Sequence, residues 1–98
     1  MTHNVYFWMK ENQKLQVFET LALKLTEIDI VESGSLGKNA PTPCREVTDK
    51  SFAYHLSLNF LNVENHDSYQ KHSAHKEFVN ICKDMWEKVL VYDSESIN

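Results

Sequence analysis

Tyr69 and His75 are the residues of this sequence whose chemistry most suggests a reaction. Imidazole titrates near neutral pH, so His75 could remove an acidic proton next to a carbonyl while the Tyr69 phenol polarises that carbonyl or steadies the imidazole. A spacing of six places the two side chains on nearly opposite faces of a continuous helix. The chemistry therefore requires a helix break around residues 72–74. In the alternative interpretation Tyr69 packs in the core, and His75 caps a helix or bonds to the backbone.

A metal site is the second chemistry to consider, because His72 and His75 form an HxxH pair with His66 and Cys82 nearby. Imidazole and thiolate are the usual ligands of zinc, and a spacing of three puts His72 and His75 on one helical face. The sequence has no HExxH motif, no CxxC pair and no carboxylate at a diagnostic offset. We therefore expect no stoichiometric zinc and assign no cofactor.

Four further residues are candidates for ligand binding: His3, His55, Arg45 and His72. His3 and His55 lie in two predicted strands that can be neighbours at the centre of a sheet, where both could line a dimer cavity. In the alternative interpretation each is satisfied by a hydrogen bond to the partner subunit. Arg45 lies in a long loop and could meet an anionic ligand at the cavity mouth, although a surface salt bridge is the commoner role of such a residue.

Length and composition restrict the class of protein. The chain of 98 residues has room for one domain, residues 1–98, and its 42% hydrophobic and 24% charged content is that of a folded protein. A net charge of −4 argues against binding to nucleic acid, which needs a basic surface. The start has no signal-like apolar stretch and no segment is apolar enough to cross a membrane, so we expect a cytoplasmic protein in which Cys44 and Cys82 are free thiols.

The hydrophobic pattern predicts the elements that must position these residues. Strands are expected where β-branched and aromatic residues cluster or alternate, and helices where apolar residues recur every three or four positions. The predicted strands are His3–Lys10, Ile28–Leu36, Phe52–Phe60 and Glu87–Asp93; the predicted helices are Leu15–Thr26 and one long or two short helices within Asn62–Met85; the loop is Lys38–Lys50. Within the third strand, alternate residues from Phe52 to Phe60 are apolar and should face the core.

The order βαββαβ predicts an α+β ferredoxin-like plait, in which the helices cover one face of a four-stranded antiparallel sheet. The first and fourth strands are apolar on both sides, so the other sheet face would expose an apolar patch that monomers avoid. We therefore expect a homodimer that packs sheet against sheet.

Several segments together resemble the stress-responsive A/B barrel (Dabb) family across nearly the whole chain. These segments are His3-Asn4-Val5-Tyr6-Phe7, Asn59-Phe60, the stretch Tyr69–Val79 and the closing stretch Trp86–Asp93. The resemblance implies a dimeric α+β barrel, in agreement with the dimer expected from the strands. Members usually carry Pro where Ser73 stands here, so we expect a looser turn between His72 and His75.

The resemblance leaves the function open between two hypotheses. Many members have no known reaction, some plant members are stress-induced, and one plant branch consists of polyketide cyclases whose paired tyrosine and histidine match Tyr69 and His75. The preferred hypothesis is a small dimeric barrel with a stress-related role or a small apolar or carbonyl ligand. The alternative is a cofactor-free cyclase or isomerase with His75 as base and Tyr69 as its polar partner, which should show both groups in a pocket of about 300 Å³ or more.

Overall fold

The computed structural model describes residues 1–98, which form one four-stranded antiparallel sheet and three helices. The elements in chain order are β1 (Thr2–Met9), α1 (Leu15–Leu25), β2 (Ser33–Gly37), β3 (Tyr54–Asn59), α2 (Val63–Gln70), α3 (Ser73–Cys82) and β4 (Trp86–Ser94). The strand order is β2-β3-β1-β4, so β1 and β3 are central. The predicted ferredoxin-like plait is confirmed, with the second helical region divided into α2 and α3.

Alternation along the central strands separates the two faces of the sheet. In β1 the side chains of His3, Val5 and Phe7 are buried, whereas the residues between them are only partly buried. The same alternation holds in β3, where Tyr54, Leu56 and Leu58 are buried. Successive side chains of a strand point to opposite faces, so the buried set lies under the helices and the other set lies on the uncovered face.

The core lies between the covered face of the sheet and the three helices. The amphipathic stripe of α1 contributes Phe18, Ala22 and Leu25, and α3 contributes Phe78 and Cys82. The complete buried apolar cluster is Val5, Phe7, Phe18, Ala22, Leu25, Ile28, Val31, Tyr54, Leu56, Leu58, Phe60, Tyr69, Phe78 and Cys82. None of the helices has both the length and the apolar character needed to cross a membrane.

The second strand is shorter than predicted. β2 begins at Ser33, whereas Ile28 and Val31 belong to a turn after α1 in which the Val31 N–H donates to the Ile28 carbonyl at 2.9 Å. Both residues are nonetheless buried, with 8% and 7% exposure, because the turn folds back onto the core. The apolar pattern from Ile28 onward therefore reflects packing against the core. The prediction of a strand over Ile28–Leu36 was wrong for its first part.

The uncovered face of the sheet carries a cluster of aromatic and apolar side chains, which we call the outer patch. It comprises Tyr6, Trp8, Phe52, Leu90 and Tyr92. Phe52 was predicted to face the core, but it precedes β3 and is not held by the alternation of the strand. Its ring instead meets that of Tyr6 edge-on at a centroid distance of 5.1 Å.

Candidate functional site

A break in the helical region brings Tyr69 and His75 together. α2 ends at Gln70 and α3 begins at Ser73, so the predicted break is present. His72 has extended backbone, and its Nδ1 accepts a hydrogen bond from the Ala74 N–H at 3.0 Å, which caps α3. The ring centroids of Tyr69 and His75 are consequently 4.8 Å apart in an edge-to-face arrangement.

These two side chains line a small cavity between the sheet and the pair α2–α3. Its volume is about 150 Å³, and most of its wall is apolar. The lining residues are His3, Val5, Phe7, Leu56, Tyr69, Gln70, His75, Phe78, Val79, Trp86, Val89 and Val91. An apolar chamber with a phenol and two imidazoles in its wall suits a small molecule that has one polar end.

His3 is the second imidazole of this cavity, and a carboxylate holds it in place. The residue is 4% exposed, and its Nδ1 lies 2.5 Å from Oδ1 of Asp93 on β4. The antiparallel register of β1 and β4 pairs these two residues directly. The His3 ring also lies 6.0 Å from the Tyr69 ring, so three groups able to form hydrogen bonds converge on one chamber.

Burial decides the protonation of the cavity groups. Loss of solvent raises the pKa of Tyr69 above its ordinary value, so the phenol stays protonated and can donate a hydrogen bond. Loss of solvent also lowers the pKa of His75, and the neighbouring His3 adds to this effect while a hydrogen bond to the Gln70 backbone opposes it. At neutral pH the cavity therefore presents a neutral phenol and a neutral imidazole.

His55 lies on the opposite side of the sheet from this cavity. β1 and β3 are neighbours, as expected, but His3 and His55 point to opposite faces, so our expectation that both line one cavity was wrong. The His55 ring stacks on Tyr6 at 4.4 Å, and its Nε2 lies 2.9 Å from Oδ1 of Asn4. Burial alone lowers the pKa of His55.

Arg45 and His72 are both exposed, and neither lines the cavity. Arg45 belongs to the irregular stretch between β2 and β3, and His72 is occupied as the cap of α3. The HxxH pair does not act as a pair, because His72 precedes the helix while His75 turns toward Tyr69.

Two residues next to His3 were not among the predicted site residues, although His66 was considered as a metal ligand beside the HxxH pair. Asp93 bonds to His3 as described, and the His66 ring on α2 lies 4.7 Å from the His3 ring. The chain separates His3 from Asp93 by 90 positions, so only the pairing of the first and last strands reveals their contact. The contact could have been predicted by pairing β1 with β4 in the register that places His3 opposite Asp93.

Comparisons with known proteins agree with this fold. The family model described as the stress responsive A/B barrel domain matches residues 1–96. A search of curated proteins found no match.

Solved structures from three organisms superpose closely. A Dabb family protein with a ferredoxin-like fold from Mesorhizobium loti has a TM-score of 0.78 and 22% identity, covering 99% of this chain and 96% of that one. The hydroxynitrile lyase from Passiflora edulis has a TM-score of 0.78 at 16% identity, covering 99% and 95%. A dimeric ferredoxin-like protein of unknown function from Thermobifida fusca has a TM-score of 0.74 at 14% identity, covering 93% and 85%. At these identities the likeness establishes a shared fold.

Proposed function

This chain belongs to the stress-responsive A/B barrel family, and we propose that it is a homodimeric barrel protein whose cavity beside His75 binds a small, mainly apolar carbonyl compound. The observation that carries the proposal is the convergence of Tyr69, His75 and His3 on one apolar chamber. A phenol that donates and a neutral imidazole that can accept or donate are suited to orienting a carbonyl oxygen and its neighbouring atoms.

The size of the chamber favours binding over polyketide cyclisation. Its volume of about 150 Å³ is half of the lower limit of about 300 Å³ typical of ligand pockets. A dry apolar cavity of about 150 Å³ accommodates benzene, so a single ring or one end of a longer molecule fits here. A linear polyketide chain needs more room than that.

A carbonyl ligand can be distinguished from a purely apolar one with two molecules of similar size. Acetophenone and isopropylbenzene share a ring and a branched substituent, but only acetophenone can accept a hydrogen bond. We expect acetophenone to bind about 2- to 10-fold more tightly in calorimetry, the worth of one hydrogen bond. Tyr69→Phe should remove this preference while leaving isopropylbenzene binding unchanged, and equal binding of the two compounds by the unmodified protein would contradict the proposal.

The enzymatic alternative depends on the same pair of side chains. The edge-to-face contact of Tyr69 with His75 at 4.8 Å allows the imidazole to act as a base beside a polarised carbonyl. The related fold of a hydroxynitrile lyase gives this alternative weak support. If the chain is an enzyme, His75→Ala should abolish turnover of a carbonyl substrate, a loss of about 10²- to 10⁴-fold, and Tyr69→Phe should reduce it. If His75 is structural, His75→Ala should lower the melting temperature without changing acetophenone binding.

The second copy of the proposed homodimer would cover the outer patch. Tyr6, Trp8, Phe52, Leu90 and Tyr92 form a five-residue aromatic and apolar surface on a sheet face that no helix covers. Aromatic residues are enriched in protein interfaces, and a sheet face of this kind suits a two-fold contact with its own copy. The Thermobifida fusca relative is described as dimeric.

We also propose that the protein works in the cytoplasm. Cys44 and Cys82 are both free, with Cys44 exposed and Cys82 buried in the core. An exposed free thiol persists in a reducing compartment and is oxidised outside one. A fluorescent fusion that located in the periplasm or another oxidising compartment would contradict this assignment.

A further inference from the structure

A cluster of two imidazoles and a carboxylate lies at one end of the sheet. His3 comes from β1, His66 from α2 and Asp93 from β4. One ligand atom from each of the three residues lies within 4.8 Å of the others. We propose that these residues bind a divalent transition-metal ion of the Zn²⁺ type.

The donor set is the first argument for a metal. Two imidazoles and one carboxylate, with one position left open, form a recurrent protein site for zinc and related ions. Our expectation of no zinc considered ligands spaced along one helical segment, whereas this set is assembled from three segments that are distant in sequence.

The geometry needs only small side-chain movements. Tetrahedral zinc holds its ligand atoms about 3.3 Å apart, so the 2.5 Å contact of His3 Nδ1 with Asp93 must open slightly and His66 must move inward. Asp93 has a side chain that is 42% exposed, and His66 lies near the surface with 14% exposure. Both side chains can therefore adjust while the buried His3 stays in place.

Each ring nitrogen of His66 has a polar neighbour. Its Nδ1 lies 3.3 Å from Oδ1 of Asp67, and its Nε2 lies 3.3 Å from Nε2 of Gln70. When one ring nitrogen of His66 binds a metal, the other nitrogen can keep its hydrogen-bond partner. Metal-binding histidines are commonly oriented by such an outer carboxylate or polar group.

An open groove leads to the cluster from solvent. It has a volume of about 400 Å³ and is lined by Met1, Val63, His66, Asp67, Asp93, Ser94 and Glu95. Three carboxylates along this groove attract cations, and the opening leaves room for water at the fourth position. A bound ion would tie the edge strand β4 to β1 and α2.

The site can be tested with zinc and cobalt ions alone on protein purified without a histidine tag and stripped with a chelator. We expect one Zn²⁺ per chain in competition with a chromogenic chelator, and visible absorption bands typical of tetrahedral Co²⁺. His66→Ala and Asp93→Asn should each weaken Zn²⁺ binding by about 100-fold or more. The control His72→Ala removes an exposed histidine outside the cluster. This variant should bind Zn²⁺ as tightly as the unmodified protein does.

Folding of each variant is checked by circular dichroism, and Asp93→Asn keeps an acceptor for His3. Less than one Zn²⁺ per chain would overturn the proposal, as would unchanged binding in both His66→Ala and Asp93→Asn. The result is separable from that of the ligand experiment, because His66 and Asp93 do not line the apolar cavity and acetophenone binding is measured on metal-free protein.

Discussion

The ring of His75 lies 4.8 Å from the ring of Tyr69, although six residues separate them and α2 ends between them. In a continuous helix the two side chains would diverge, because a spacing of six turns the second residue far around the axis. The extended backbone of His72 changes the chain direction, and the cap it provides stabilises the new helix. The relation between these two residues is therefore produced by the backbone of the segment between them.

A proline at position 73 should stabilise this break. Ser73 is the first residue of α3, where proline is favoured, and His72 has φ −67° and ψ 143°, which suit a residue before proline. Ser73→Pro should raise the free energy of unfolding by about 0.4–1 kcal/mol, because it restricts the unfolded chain. Urea unfolding at fixed protein concentration measures this. The control Ser68→Pro lies inside α2 and should lower the free energy of unfolding by about 3 kcal/mol. A lower free energy of unfolding in Ser73→Pro would show that the observed turn is not compatible with proline.

Gly34 should not tolerate a methyl group, whereas Gly37 in the same strand should. A Cβ on Gly34 would lie 2.7 Å from Cδ2 of Leu58 and 3.1 Å from the Ser57 carbonyl oxygen, but on Gly37 its nearest neighbour is 4.0 Å away. Leu58 is buried in the core and cannot yield freely. We expect Gly34→Ala to reduce stability by about 1–3 kcal/mol. Thermal unfolding of both variants checks this, and equal melting temperatures would refute the close packing of β2 on β3.

Trp8→Asp should dissociate the proposed dimer. Trp8 lies in the outer patch opposite Lys88 of β4, and a carboxylate there would lose its hydration when a second sheet covers it. Sedimentation at micromolar concentration should change from a dimer to a species near 11.5 kDa. Leu61→Asp adds the same charge at a residue that is 68% exposed outside the patch and should leave the dimer intact. A single species near 11.5 kDa for the unmodified protein would disprove sheet-to-sheet association.

Acid should weaken the same dimer through His55. Burial lowers the pKa of His55 below 6.5, so the folded chain favours the neutral ring, and a covering sheet would bury it further. Tyr6 stacks on the ring and Asn4 bonds to it, and no charged group adds to the shift. The stability from the neutral ring is complete above pH 6.5 and is lost as pH falls through the lowered pKa.

The dimer dissociation constant should therefore rise as pH falls below 6.5, through the lowered pKa of His55 in the free chain. Sedimentation at a series of pH values measures this rise. His55→Gln keeps a donor toward Asn4 but does not titrate, so it should flatten the dependence. An equal rise in His55→Gln would assign the effect to other groups.

Several features of this protein follow from local sequence. Three features could be predicted because each depends on residues within a few positions of one another. They are the alternation in the central strands, the amphipathic stripe of α1 and the interruption near His72. Tyr69 and His75 were chosen as candidate site residues from their side-chain chemistry and the family resemblance, and the sequence also indicated that a helix break was needed to join them.

Other features depended on contacts between distant segments. Ile28 and Val31 have the residue types of a strand, but the end of α1 directs them into a turn that packs on the core. The opposite faces on which His3 and His55 lie follow from the register of β1 on β3, since a shift of one residue turns every side chain of a strand to the other face. The meeting of His3, His66 and Asp93 likewise required the pairing of the first strand with the last. Such register and long-range pairing are set by packing of the whole core, which no local pattern contains.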